Sequence, residues 1–110
     1  MIVWVDFKLG ARGGCRRRAT LDGRVYILDV LWSPGESVWA LTISTATGEI
    51  IRAGRWLRTG SDALAGVADS TRPPGTLIPV DTSNRDLDPG RDDLRASSAV
   101  RLQYASPGAS

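Results

Sequence analysis

The sequence predicts an all-β fold, a small antiparallel β-barrel or sandwich of about six short strands with at most one short helical turn. Three observations carry this. Apolar residues recur with a period of two in several segments. Turns containing glycine or proline separate those segments at short intervals. Neither heptads nor an internal repeat is present. Closing the sheet into a barrel would hide its edges.

Each element follows from its pattern. In residues 2–9, Val3, Val5, Phe7 and Leu9 take one face, and Trp4, Asp6 and Lys8 take the other. This predicts a half-buried first strand. Residues 24–32, RVYILDVLW, put Tyr26, Leu28, Val30 and Trp32 on one face and Val25, Ile27, Leu31 and Asp29 on the other. Two mostly apolar faces predict a central strand. Residues 37–46 alternate with Trp39, Leu41 and Ile43 on the apolar face, and SPGE joins this strand to the previous one as a hairpin. Thr47-Gly48 leads into residues 49–58, EIIRAGRWLR, whose alternation breaks at Gly54. A glycine-centred bulge is predicted there. Ser61 is placed to cap a short helical turn bearing Leu64, Val67 and Ala68. TLIPV (76–80) reads as an edge strand, because Pro79 cannot donate to a ladder. Val100, Leu102 and Tyr104 mark a closing strand. The expected organisation is one β domain over residues 1–105. It comprises an N-terminal strand with a basic Gly/Arg loop over 1–20, a long polar loop over 82–98, and a frayed tail over 106–110.

The 110 residues suffice for one modest core, since a chain of this size buries roughly 60 to 70% of its unfolded surface. The apolar start is interrupted by Asp6 and Lys8, so no signal-peptide core is expected. No run approaches a membrane span of about 18 apolar residues. Cys15 is the only cysteine and histidine is absent. Internal disulfides, Cys-rich zinc sites and Ser-His or Cys-His nucleophile systems are therefore excluded. Residues 1–60 carry a net charge of +4 and residues 61–110 a net charge of −2. Thirteen of the fourteen cations are arginine, a residue suited to planar, bidentate contacts with proteins and nucleic acids alike.

Candidate chemistry is sparse. Asp86, Asp88, Asp92 and Asp93 superficially suggest a calcium loop, but Pro89 falls where the glycine is required and Arg95 where the bidentate glutamate belongs. A solvated turn is the simpler reading, and an enzyme built on this cluster has no marked pocket. Cys15 has no base partner, and GARGG lacks the GK[ST] of a phosphate-binding loop. The sharper feature is the clustering of Arg12, Arg16, Arg17 and Arg18 outside the strand pattern. With Trp4 and Trp56, which also fall outside the clean apolar faces, these arginines form a candidate interface. One reading is an OB-like single-stranded nucleic-acid binder with stacking tryptophans and phosphate-tracking cations. The net charge of +2 is low for that mode.

The order Thr20-Leu21-Asp22-Gly23-Arg24, then Tyr26, Leu28, Trp39, Leu41 and Ile43, resembles the small baseplate-plug proteins of tailed bacteriophages. Gly48, Gly54, Leu57, Pro74-Gly75, Asp81, Asp88-Pro89, Leu94, Val100-Arg101-Leu102 and Tyr104 continue the likeness over roughly residues 18–105. The resemblance implies a non-enzymatic structural protein of the virion, made in the host cytoplasm and placed at the baseplate or tail tip. Its implied partners are the hub and tail-tube-like subunits, with an oligomeric arrangement in the virion and no cofactor. The arginine run is then expected to be a flexible loop or arm ordered by neighbouring tail proteins.

Overall fold

The computed structural model describes residues 2–8, 14–68, 71–90, 93–94 and 98–107. Leu9, Arg12 and Asp92 lie outside them, as do Ala96 and Ser97 and the last three residues of the tail.

Among the described residues seven antiparallel strands form two sheets. They are β1 (Ile2–Val5), β2 (Gly14–Leu21), β3 (Arg24–Ser33), β4 (Val38–Thr45), β5 (Ile50–Trp56), β6 (Thr76–Asp81) and β7 (Val100–Ala105). One sheet has the order β1-β7-β6 and the other β2-β3-β4-β5. The sheets remain separate, so the architecture is a sandwich and the barrel alternative falls. Between them lies a core whose largest fully buried side chains include Trp39, Tyr26, Tyr104, Leu28 and Leu102. On one side, residues 57–63 stitch the sheets together. Leu57 N–H donates to the Trp39 carbonyl, Gly60 N–H to Pro79 and Ala63 N–H to Leu77.

The period-two pattern folds as read in the middle of the chain. β3 lies between β2 and β4, and its hairpin with β4 turns at Pro34–Ser37. The bulge forms at the expected glycine. Leu41 pairs with Arg55 and Ile43 with Arg52, so Ala53 and Gly54 together oppose Thr42. Gly54 has a φ of 64° and donates its N–H to the Thr42 hydroxyl. Glycine, which has no Cβ, adopts that backbone region at least cost.

Four expectations are corrected. Residues 14–20, expected as part of a basic loop, form β2, which pairs with β3 along its whole length. Cys15, Arg17, Ala19 and Leu21 point inward, opposite Val30, Leu28, Tyr26 and Arg24, while Arg16 and Arg18 point outward. Arginines on an edge strand discourage further pairing, so the run that disguises the strand also protects it. β1 stops at Val5 rather than residue 9, because the Phe7 N–H donates to the Leu94 carbonyl and Asp6 turns to Arg101. Residues 61–68 form hydrogen-bonded turns rather than a helix, the Ala65 N–H donating to the Asp62 carbonyl and the Val67 N–H to the Leu64 carbonyl. Asp62, rather than Ser61, organises that stretch, its carboxylate accepting the N–H groups of Leu64 and Leu77. The tail does not fray from its start, since the Ser106 hydroxyl donates to Asp22.

Asp22 and Gly23 make the two-residue turn between β2 and β3 with positive φ at both positions, the type I′ geometry. Hydrogen bonds from Ser106 and Tyr104 hold the Asp22 carboxyl below its ordinary range. Asp81, buried at the end of β6, gathers the following loop. It accepts the Ser83 hydroxyl and N–H and the Leu87 N–H. These bonds lower its pKa from 3.8 to about 2. A carboxylate depressed in the folded state stabilises above its unfolded pKa and loses that contribution as pH falls through the folded value. The stability gap between wild type and Asp81→Asn should therefore be full at neutral pH and close between about pH 4 and pH 2. Thermal melts of both proteins across that range test this, and a constant gap would refute it.

Candidate protein-interaction surface

The outer face of the four-stranded sheet carries side chains that are mostly exposed or half-covered, Val38 and Ser44 being the buried ones. The strand register lays its side chains in rows. Gly14, Leu31, Ala40 and Trp56 form one row across the four strands, and Arg18, Ile27, Ser44 and Ile50 form another. Between them run Arg16, Asp29 and Thr42, with the Arg16 Nε 2.9 Å from the Asp29 carboxylate. Leu31 and Ile50 are each 63% exposed, Trp56 47% and Val25 40%. A large aliphatic side chain left in water forgoes about 25 cal/mol for each Å² it could bury. Four such residues on one sheet face make a patch of the kind that marks an interaction site.

Charge divides the same way. The strands β2 to β5 carry Arg16, Arg17, Arg18, Arg24, Arg52 and Arg55 against Asp29 alone, whereas β1, β6 and β7 carry only Asp81 and Arg101. The basic first half of the sequence thus becomes a basic sheet. The acidic second half interleaves with it rather than forming an opposite pole, as the Arg58–Asp88 pair at 3.1 Å shows.

The expected interface residues fall into separate places. Arg16, Arg18 and Trp56 share the outer face of the four-stranded sheet. Arg17 does not belong with them. Its side chain lies between the sheets, where it donates to the Asp6 carbonyl. Trp4 lies on the other sheet, beneath the Arg101 guanidinium at 4.4 Å from the ring centroid. Arg101 is itself fixed by a bidentate pair with Asp6, at 3.0 and 3.1 Å. Trp4 is therefore half-covered packing, and no stacking platform joins it to Trp56. Leu31, Ile50 and Val25 were missed, although the two apolar faces of RVYILDVLW carry the signal for two of them.

Asp88 and Asp93 serve the loops. Asp88 accepts the Thr59 N–H and pairs with Arg58, and Asp93 accepts the Gly90 N–H. Cys15 is half-buried in β2, facing Val30. Among the described residues no group of three His, Cys, Asp or Glu side chains is placed to hold a metal ion, and no helix is long and apolar enough to cross a membrane.

The residues that carried the family likeness turn out to hold the scaffold. Asp22, Tyr104 and Gly75 form one hydrogen-bonded chain, and Trp39 donates to the Gly90 carbonyl at 2.7 Å. A family model described as Cyanophage baseplate Pam3 plug gp18 matches residues 16–107, from β2 through β7. Comparison with curated proteins gives no match.

Proposed function

The chain belongs to the cyanophage baseplate plug family, and from that premise we propose that it is a non-enzymatic structural part of a tailed-phage virion. It sits at the baseplate or tail tip beside the hub, and works as an oligomer through protein–protein contacts. The contact surface is the outer face of the four-stranded sheet. The observation that carries this is the exposure of Leu31, Ile50 and Trp56 on that one face. Arg16 and Arg18 at the margin supply hydrogen-bonding charge for carboxylates on the neighbour.

Leu31→Asp tests the surface. The side chain is mostly in solvent, so the fold and melting temperature should be unchanged within experimental error. Incorporation into tails assembled from co-expressed baseplate proteins should fall about tenfold or more, the cost of losing a central apolar anchor to a buried charge. Normal incorporation of a folded Leu31→Asp protein would remove this face from the interface.

A further inference from the structure

A second feature lies at the free edge of β5. Arg52, Arg55 and Arg58 are spaced by three, and on a regular strand successive members of such a series point to opposite faces. The Ala53–Gly54 bulge cancels one step. Arg52 and Arg55 therefore oppose Ile43 and Leu41, which sit two apart on the same face of β4. With Gly54, Trp56, Arg58 and Ser61 they line an open cleft of about 400 Å³. Arg58 also stands 5.6 Å from the Trp56 ring centroid. Within this group Arg58 pairs with Asp88, and among the described residues neither Arg52 nor Arg55 has a carboxylate partner. Converging like charges without counterions cost free energy that a bound anion would recover.

We propose that this cleft receives a carboxylate-bearing segment of a neighbouring protein, with Arg52 and Arg55 as its paired donors and Trp56 as the apolar wall. The proposal takes its partner from the baseplate reading above; the cleft itself stands on the bulge geometry. Guanidinium groups bind planar carboxylates through two parallel hydrogen bonds. Ile43 and Leu41 are core residues, so Arg52 and Arg55 leave β5 on the inner side of the sheet and reach the cleft at its edge, where Trp56 is exposed. Two guanidinium groups beside one exposed indole favour a peptide with acidic and apolar side chains over a nucleic-acid backbone, which needs a continuous basic track.

The test titrates the full-length protein into a fluorescein-labelled peptide of alternating Asp and Leu, and separately into a labelled single-stranded oligonucleotide. Three proteins are compared: wild type, R52Q/R55Q, and K8Q/R24Q, the last losing the same charge from exposed positions outside the cleft and the contact face. Peptide affinity should fall about tenfold or more in R52Q/R55Q, as expected when charge-assisted hydrogen bonds are removed. It should change by no more than about twofold in K8Q/R24Q, where exposed charge acts weakly. The proposal is overturned if wild type does not bind the peptide or if both variants weaken alike. It is also overturned if the oligonucleotide binds more tightly than the peptide, which would make the cleft a phosphate site. Circular dichroism of each variant confirms that the fold is kept. The tail-assembly assay separates the two readings. Absence of wild type from tails overturns the baseplate role and leaves the titration to decide the cleft. Exclusion of Leu31→Asp with normal incorporation of R52Q/R55Q keeps that role and removes the cleft.

Discussion

Replacing Gly75 by alanine should cost about 3 kcal/mol or more and lower the melting temperature by about 10 °C or more. The reason is steric and local. A Cβ on Gly75 would lie 1.9 Å from the Ala105 carbonyl oxygen, 2.8 Å from its carbon and 2.9 Å from the Tyr104 ring. Two of these atoms are backbone, so relief requires β6 to move relative to β7 just ahead of the Thr76–Ala105 pair. Movement is resisted on every side. The Gly75 N–H donates to the Tyr104 hydroxyl at 2.8 Å, and that hydroxyl donates to Asp22 at 2.5 Å. Arg72 holds the Gly75 carbonyl from the other side at 2.9 Å. Burial and the Asp22 contact push the Tyr104 phenol well above its ordinary range, so it stays protonated and able to donate. Denaturant unfolding of Gly75→Ala measures the cost directly. A loss below about 1 kcal/mol would mean that the start of β6 slides freely, and the interlock described above would be wrong.

That interlock joins residues far apart in sequence, and it marks where sequence reasoning runs out. The β3–β4–β5 meander was legible because each strand has one neighbour-facing apolar side, and Gly54 broke the alternation at the place where the bulge forms. β2 was not legible. Its inward positions include Arg17, which survives there only because the Asp6 carbonyl lies within reach. Nothing in the linear pattern reports that pairing. Asp62 escaped notice for the same reason, since one of its two partners, the Leu77 N–H, comes from β6.

The candidate surface divides along similar lines. Arg16, Arg18 and Trp56 stood out as residues that the core did not claim, and they share a face. Trp4 stood out equally, but Arg101, from the other end of the chain, covers it. Leu31 and Ile50 were hidden by an ambiguity. An apolar second face on a central strand fits burial under another layer as well as exposure to a partner, and only the layer count of the folded protein decides. Arg52 and Arg55 were hidden by their spacing, which brings them together only after the bulge is counted.

The other large effect is expected at Trp39, fully buried and the largest side chain of the core. Trp39→Ala should destabilise the fold by about 3–5 kcal/mol, a large share of the about 5–15 kcal/mol that holds a domain together. Three losses combine. The indole leaves a cavity in the core, the edge-on contact with Trp32 at 5.4 Å disappears, and the Gly90 carbonyl loses its 2.7 Å donor. The hydrogen bond gives the variant a distinctive signature. Gly90 lies in the loop that also offers Asp88 to Arg58 and Thr59, so losing the indole N–H should loosen residues 86–90 before the sheets open. Trp39→Phe separates the contributions, filling much of the cavity while still removing the donor. It should recover most of the global stability and retain the local loosening. Hydrogen exchange at the Thr59 amide, which donates to Asp88, reads that loosening. If Trp39→Phe left Thr59 protection at its wild-type level, the indole would be core filling alone. The loop beside the arginine cleft would then be held by Asp81 and Asp88 without it.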